Sequence, residues 1–262
     1  MMVRVPSPAA PGRPELVRDL QERAARAFPA EDVAQAGGWW LRRAPGCAWW
    51  VASVLPHADA GPGELARRVA AAEKFYAGHG TAARFQISPP ACPAALDTLL
   101  AGRGYHRQSP MSLQVASTAQ VTGQAPVDPL PVRLDQHPAS GWLDVWHAVH
   151  GRGGDWRSER DMLRRVEQPS AYACATSESD VIAVGRVVAD HGWAGVFGMA
   201  TLPQARGKGA ARAVLAALAG WAAAHGAGRI YLQVEQGNRP AIRLYEQAGF
   251  REVCGYHYRT AE

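Results

Sequence analysis

Two stretches of the chain read as copies of one another, and this repetition constrains the fold more than any other feature. The first half contains VLPHADAGPGELARRVAAAEKFYAGHGTAARFQIS, and the second contains TLPQARGKGAARAVLAALAGWAAAHGAGRIYLQVE. Leu55-Pro56 recurs 147 residues later as Leu202-Pro203, His79-Gly80 recurs 146 later as His225-Gly226, and Gln86 recurs 147 later as Gln233. Farther on, PAALDTLLAGRGY parallels PAIRLYEQAGF, with Gly104-Tyr105 opposite Gly249-Phe250. One Ala/Gly-rich stretch imitates another easily, but a near-constant offset through four anchors marks a tandem repeat. Residues 119–131, AQVTGQAPVDPLP, carry three prolines and little periodicity, which reads as a linker. The expected organisation is a domain over 1–118, the linker over 119–131 and a second domain over 132–262.

The repeated unit is mixed α/β. AVGRVVADHGWAGVFGMATLP reads as two apolar strands around a His-Gly turn. A Gly-rich loop follows, then a helix from about Ala210 to Ala224 closed by Gly226. RIYLQVE reads as a buried strand, NRPAIRLYEQAG as a helix with Asn at its start and Pro in its first turn, and FREVCGYHYRT as returning strands. Ahead of these lie a short strand, PVRL, and two amphipathic helices at about 138–150 and 158–168. A central, largely antiparallel sheet flanked by helices is expected in each half.

A hydrophobic content of 47% in 262 residues is ample for a core, and the net charge of +5 comes from scattered rather than blocked basic residues. That distribution suits a small anionic ligand and argues against nucleic acid. The four cysteines lie far apart with no CxxC pair, which argues against a structural zinc site or a disulfide framework and points to reduced cytosolic thiols. The opening MMVRVPSPAAPGRPELVR has no apolar leader core, and the apolar run Ala213–Ala224 falls short of the ~20 residues a membrane span needs. The expectation is a cytoplasmic protein without metal or membrane partner, either a monomer or a homodimer.

The stretch PQARGKGAARAVL holds the most chemistry. It lacks the spacing and GK[ST] ending of a Walker loop, and the third glycine of a dinucleotide fingerprint. What remains is a strand end, a run of backbone N–H groups and a helix N-terminus, an arrangement suited to a pyrophosphate. Small residues at Gly207, Gly209 and Ala210 let it approach, and Arg206, Lys208 and Arg212 supply positive charge.

Gln204-Ala205-Arg206-Gly207-Lys208-Gly209 resembles the Q/R-x-x-G-x-G/A pyrophosphate loop of the GNAT superfamily of acyl-CoA-dependent N-acyltransferases. NRPAIRLYEQAGF resembles the second signature of that family, Asn-x-x-A-x-x-x-Y-x-x-x-G-F, at the expected distance. The resemblance covers about 131–262 well and the first half as a diverged copy, so it implies two tandem GNAT-like domains. It further implies that GVFGMATL and IYLQVE splay apart around the pantetheine arm of acetyl-CoA. Backbone groups near Met199, Thr201 and Leu202 would pair with the arm, and residues 204–210, Ala205 and Ala210 among them, would hold the pyrophosphate. Asn238 would bind the cofactor, cap its helix, or do both. Tyr245 would protonate the departing thiolate, a role for which a phenol is a reasonable acid.

The first copy departs from this pattern. Its loop, HADAGPGE, keeps Gly61 and Gly63 but places Asp59, Pro62 and Glu64 where the second copy has Arg206, Lys208 and Ala210. Proline removes an amide donor and two carboxylates repel a phosphate, so no CoA is expected there. Leu100 stands where the repeat would demand the tyrosine. This half reads as a structural partner that walls the substrate site. The doubled tryptophans Trp39-Trp40 and Trp49-Trp50 are expected on both faces of a hairpin buried between the domains.

The general base is the open question, since WAGVFGMATL has no acid. Glu235 at the end of its strand and Asp155 in GRGGDW are the candidates. Asp155, Trp156, Tyr256 and His257 are the candidate substrate contacts. Neutralising a lysine-like amine at pH 7 costs roughly 4.6 kcal/mol, an α-amine only about 1 kcal/mol, so a site without an obvious base suits an α-amine better. Asp144, His147 and His150 share one helical side, which reads as a polar helix face rather than a metal site. The function expected is direct transfer of acetyl from acetyl-CoA to a primary amine of a small molecule, amino acid or peptide. The alternative is a non-catalytic acyl-CoA-binding sensor or scaffold.

Overall fold

Each half supplies nearly the same run of elements, as the repeat requires. The computed structural model describes residues 12–261 apart from 127, 128, 152, 153 and 179; the start of the opening stretch read above lies outside this range. The first half runs α1 (Arg13–Ala27), β1 (Asp32–Ala36), β2 (Trp39–Arg43), β3 (Val54–Leu55), α2 (Pro62–Ala77), β4 (Arg84–Ile87), α3 (Leu96–Gly102) and β5 (His106–Ser117). Helix α4 (Thr118–Gly123) occupies the start of the Pro-rich connection. The second half runs β6 (Val132–Asp135), α5 (Ser140–His150), α6 (Trp156–Arg164), β7 (Ser170–Ser177), β8 (Asp180–Asp190), β9 (Trp193–Thr201), α7 (Ala210–Ala224), β10 (Arg229–Glu235), α8 (Arg239–Gln247) and β11 (Arg251–Thr260).

Local chemistry accounts for several boundaries. His191 and Gly192, between β8 and β9, have φ of 47° and 78°, the left-handed pair that a two-residue hairpin turn requires. Gly226, past the end of α7, has φ 76° and lets the chain reverse into β10. Pro240 sits in the first turn of α8, and Asn238 caps that helix through Oδ1, which accepts from Ala241 N at 3.2 Å.

The strands form one eleven-stranded sheet in the order β1-β2-β3-β4-β11-β5-β10-β9-β8-β7-β6. Among the described residues only β3–β4 and β9–β10 are parallel, and they are counterparts in the repeat. At the centre the halves exchange their last strands. β5, from the first half, pairs with β10 (Gln233 opposite Leu113), and β11, from the second, pairs with β4 (His257 opposite Ile87). β5 and β11 also pair antiparallel with each other. Because side chains alternate along a strand, this register assigns each face a layer. Helices α2, α3, α7 and α8 cover one face, over clusters that include Phe85, Ile87 and Leu100 in the first half and Val214, Leu218, Ile230, Leu232 and Phe250 in the second. Helices α1, α5 and α6 cover the other, over Trp142, Phe197, Tyr231, Tyr256 and Tyr258.

Beyond the shared sheet, helix α1 adds a hold of the first half on the second. Gln21 Oε1 accepts from Gln86 Nε2 at 2.6 Å and from Gln233 Nε2 at 2.5 Å, the two glutamines that the repeat places opposite one another. Arg186 of β8 is buried between the rings of Phe28 and Phe197, and its Nη2 donates to Ala27 O at 2.8 Å. The tryptophan pairs divide differently from the sequence expectation. Trp39 and Trp40 lie on β2, and Trp39 is fully buried in the first half's own cluster. Trp49 and Trp50 lie in a turn, not a hairpin strand; Trp49 reaches across edge-on to Tyr258, while Trp50 stands edge-on to Phe28 of its own half. Among the described residues no helix is long and apolar enough to cross a membrane.

Candidate active site

The Gly-rich loop ends in an uncapped helix. Gly209, the N-cap of α7, has φ 82°, and no side chain caps the helix. The first intrahelical bond is Ala213 N to Gly209 O at 3.0 Å, so the amides of Ala210, Ala211 and Arg212 lie before the first helical bond. Gly207 also has a left-handed φ, 76°, and a Cβ at either glycine would meet no atom within 4 Å. The loop is therefore an open cradle, and side chains would fill the space an anion needs. Arg206, Lys208 and Arg212 are exposed around it, with Arg212 Nη2 on Gln247 Oε1 at 2.6 Å. Three cations at the positive end of a helix dipole are the wrong sign for the helix itself. An anion at that end removes the conflict.

Only the backbone of two of the loop residues faces the cradle. Ala205 and Ala210 are buried, so neither presents a side chain to the cradle. The amides of Ala205 and Arg206 are already spent on Leu202 O and Pro203 O in the 3₁₀ turn Pro203–Ala205, which leaves the run of available donors starting at Gly207.

Just upstream, β9 and β10 part. Their pairing runs from Trp193/Arg229 to Val196/Leu232 and stops, while both strands continue, β9 to Thr201 and β10 to Glu235. A β-bulge lies in the parted stretch of β9. Gly198, with φ 60°, and Met199 stand opposite Gly185 alone in the β8 ladder. Helix α5 presses on the bulge, since a Cβ at Gly198 would come within 3.5 Å of Trp142 and Trp146. Met199 O accepts from His150 Nε2 at 3.1 Å. Leu202 is less available than its neighbours, because its N–H donates to Ile182 O and its C=O accepts from Ala205 N.

Tyr245 is buried on the α7 side of the sheet with its ring against Phe250, and burial alone pushes its phenol up to about 12. That corrects the match of acid to leaving group. A phenol this weak stays protonated and is better suited to donating a hydrogen bond than to releasing its proton. Glu235, exposed at the end of β10, follows Tyr231 and Gln233 in the alternation and so faces the α1 side, opposite Tyr245.

The remaining candidates have local partners. Asp155 caps α6, its Oδ2 accepting from Ser158 N and Oγ at 3.1 Å each, and these bonds hold its carboxyl below the usual range. A carboxylate so stabilised is a poor base. Trp156 is exposed, flanked by Arg157 and Arg160. His257 does not line a cleft. It is buried under α3 with Nε2 at 2.8 Å from Asp97 Oδ1, which also accepts from Arg259 Nε at 2.7 Å. Tyr256, on the other face of β11, is buried beside Tyr258. The exchange of β11 into the first half carries His257 to α3, a placement invisible in the local sequence.

The counterpart loop in the first half starts its helix with different chemistry. Gly61, the N-cap of α2, has φ −64°, Pro62 follows it, and Glu64 stands in the first turn paired with Arg68. Arg68 Nη1 and Trp39 Nε1 both donate to Ala58 O and fix the loop from behind.

Comparison with known proteins agrees with this architecture. Residues 139–250 match the model of the acetyltransferase (GNAT) family. An N-acetyltransferase of Bacillus subtilis strain 168, YobR, described as uncharacterized, is 27% identical over 245 residues, 93% of this chain and 98% of that protein. A GCN5-related N-acetyltransferase from Kribbella flavida superposes with a TM-score of 0.71 at 17% identity over 96% of each chain. A tandem GNAT protein from the clavulanic acid biosynthesis pathway superposes with a TM-score of 0.65 at 14% identity, over 99% of this chain and 90% of that one. The structural likenesses establish the fold, two GNAT-like halves in tandem. Residues 139–250, set in that fold, are similar to the GNAT family of acetyltransferases.

Proposed function

We propose that the chain transfers acetyl from acetyl-CoA to a primary amine of a small molecule, amino acid or peptide, within a ternary complex formed at the second half. The observation that carries this reading is the parting of β9 from β10 directly before an uncapped, cation-ringed helix N-terminus. In this reading the pyrophosphate takes the amides from Gly207 onward, with Gln204, Arg206 and Lys208 around it. The pantetheine arm lies along the bulged edge of β9 at Met199 and Thr201, and Asn238 borders it while capping α8. The thioester supplies an activated acyl carbonyl, and Tyr245 donates a hydrogen bond to the departing sulfur. Asp59, Pro62 and Glu64 leave the first half without a CoA site, so one CoA binds per chain.

The division into 1–118, 119–131 and 132–262 holds in this proposal as a description of the repeat, with the last strand of each half lent to the other. The test is calorimetry with acetyl-CoA followed by thiol release against a panel of amines that includes α-amino and lysine-like acceptors. Binding with thiol release for at least one amine supports the transferase. Binding without release across the panel would turn the reading to an acyl-CoA sensor.

A further inference from the structure

Resting on that reading, we infer that His150 is the general base of the acetyl transfer. The parted stretch of β9, Phe197–Thr201, has no carboxylate, Asp155 is committed as a helix cap, and Glu235 is on the neighbouring strand. His150 is the last residue of α5 and comes to the lip of the gap, where its Nε2 meets Met199 O at 3.1 Å. A carbonyl only accepts, so Nε2 must carry the proton and Nδ1 must be the lone-pair nitrogen. The bulge that frees Met199 from the ladder thus also sets the tautomer of the ring.

His147, one turn back on the same side, is less suited, because its Nε2 is buried without a hydrogen-bond partner. His150 is exposed and passes its proton on to water. Gly151 is required behind it, since a Cβ there would lie 2.4 Å from His147 O. α5 is held on the bulge by Trp142, whose Nε1 donates to Gly185 O at 2.9 Å.

In the step, the amine nitrogen forms its bond to the thioester carbonyl carbon while Nδ1 of His150 takes one of the nitrogen's protons. The C–S bond then breaks with its electron pair on sulfur. The thiolate leaves on a hydrogen bond from Tyr245 and takes its proton from water, and the imidazolium returns its proton to water.

The variant His150→Gln tests this, since its side-chain N–H can still reach Met199 O but its carbonyl oxygen is not a base. With an amine that the wild type acetylates, kcat should fall about 100-fold while KM for acetyl-CoA stays within about threefold, and added imidazole should restore part of the rate of His150→Ala. Turnover of His150→Gln within about threefold of wild type would overturn the assignment. So would nitrogen-15 NMR of the free protein above pH 8 showing the proton on Nδ1 instead of Nε2. A wild type that binds acetyl-CoA but acetylates no amine would overturn the transferase reading itself, a result separable from either of these.

Discussion

Helices α2 and α7 follow equivalent Leu-Pro turns and hold equivalent places beside a parallel strand pair, yet their N-termini are opposites. In α7 the N-cap Gly209 is left-handed, the first turn has no acid, and three cations surround it. In α2 the N-cap is not left-handed, Pro62 has no N–H, and Glu64 satisfies the helix dipole from within the chain. Topology alone does not make an anion site. A few residues at the helix start decide whether the dipole is left open or used internally.

The largest effect that bears on this comparison is at Gly209. Gly209→Glu places a carboxylate in the cradle and should weaken acetyl-CoA binding at least about 100-fold, or 2.7 kcal/mol. The left-handed φ adds a strain of about 1–2 kcal/mol, which lowers thermal stability without unfolding the chain. Titration of the wild type should saturate near one CoA per chain. Unchanged affinity in folded Gly209→Glu, or two equivalent sites in the wild type, breaks the comparison.

Next in size is Tyr245→Phe, which keeps the ring and removes the hydroxyl. kcat should fall about 100-fold with little change in acetyl-CoA affinity. With its phenol raised to about 12 by burial, Tyr245 stays protonated at working pH. Its folded-state pKa lies above the unfolded value of about 10, so its contribution to stability is present below pH 10 and lost as pH rises toward 12. A steep alkaline loss of stability that begins below pH 9 would have to come from another group.

The charges sharpen the comparison at smaller scale. Lys208→Ala should weaken acetyl-CoA binding several-fold, less so at high salt, as exposed charges are screened. Glu64→Ala at the equivalent helix should leave binding unchanged. Equal losses from both would mean that both loops feel the ligand.

Smallest is the exchanged strand. Arg259 and His257 hold the Asp97 carboxyl down at about 2. This folded-state pKa is below the unfolded value, so the stability it confers is present above about pH 4 and lost as pH falls through 2. Asp97 is partly exposed, so Asp97→Asn should cost only about 0.5–1 kcal/mol, a few degrees in Tm. Acetyl-CoA affinity should not change. A loss of CoA binding in this variant would show that α3 and the first half reach the cofactor after all.

The sequence by itself determined the elements whose causes are local. The α7 span, the His191-Gly192 hairpin, the Asn238 cap and the chemistry of the 204–210 loop are all set by neighbours in the chain, where propensity, turn conformation and capping act. The sequence also marked Gln86 and Gln233 as equivalent, though not that Gln21 joins them. Only the tertiary structure decided which strands pair at the centre, because antiparallel ladders between β5, β10 and β11 use the same backbone bonds whichever half a strand comes from. That exchange buried His257 against Asp97, and the packing of α5 on the bulge brought His150 to Met199. In the sequence His150 is one polar residue on a helix face. A partner 49 residues away leaves no periodicity, since the side chains that meet are chosen by packing between elements and not by spacing along one.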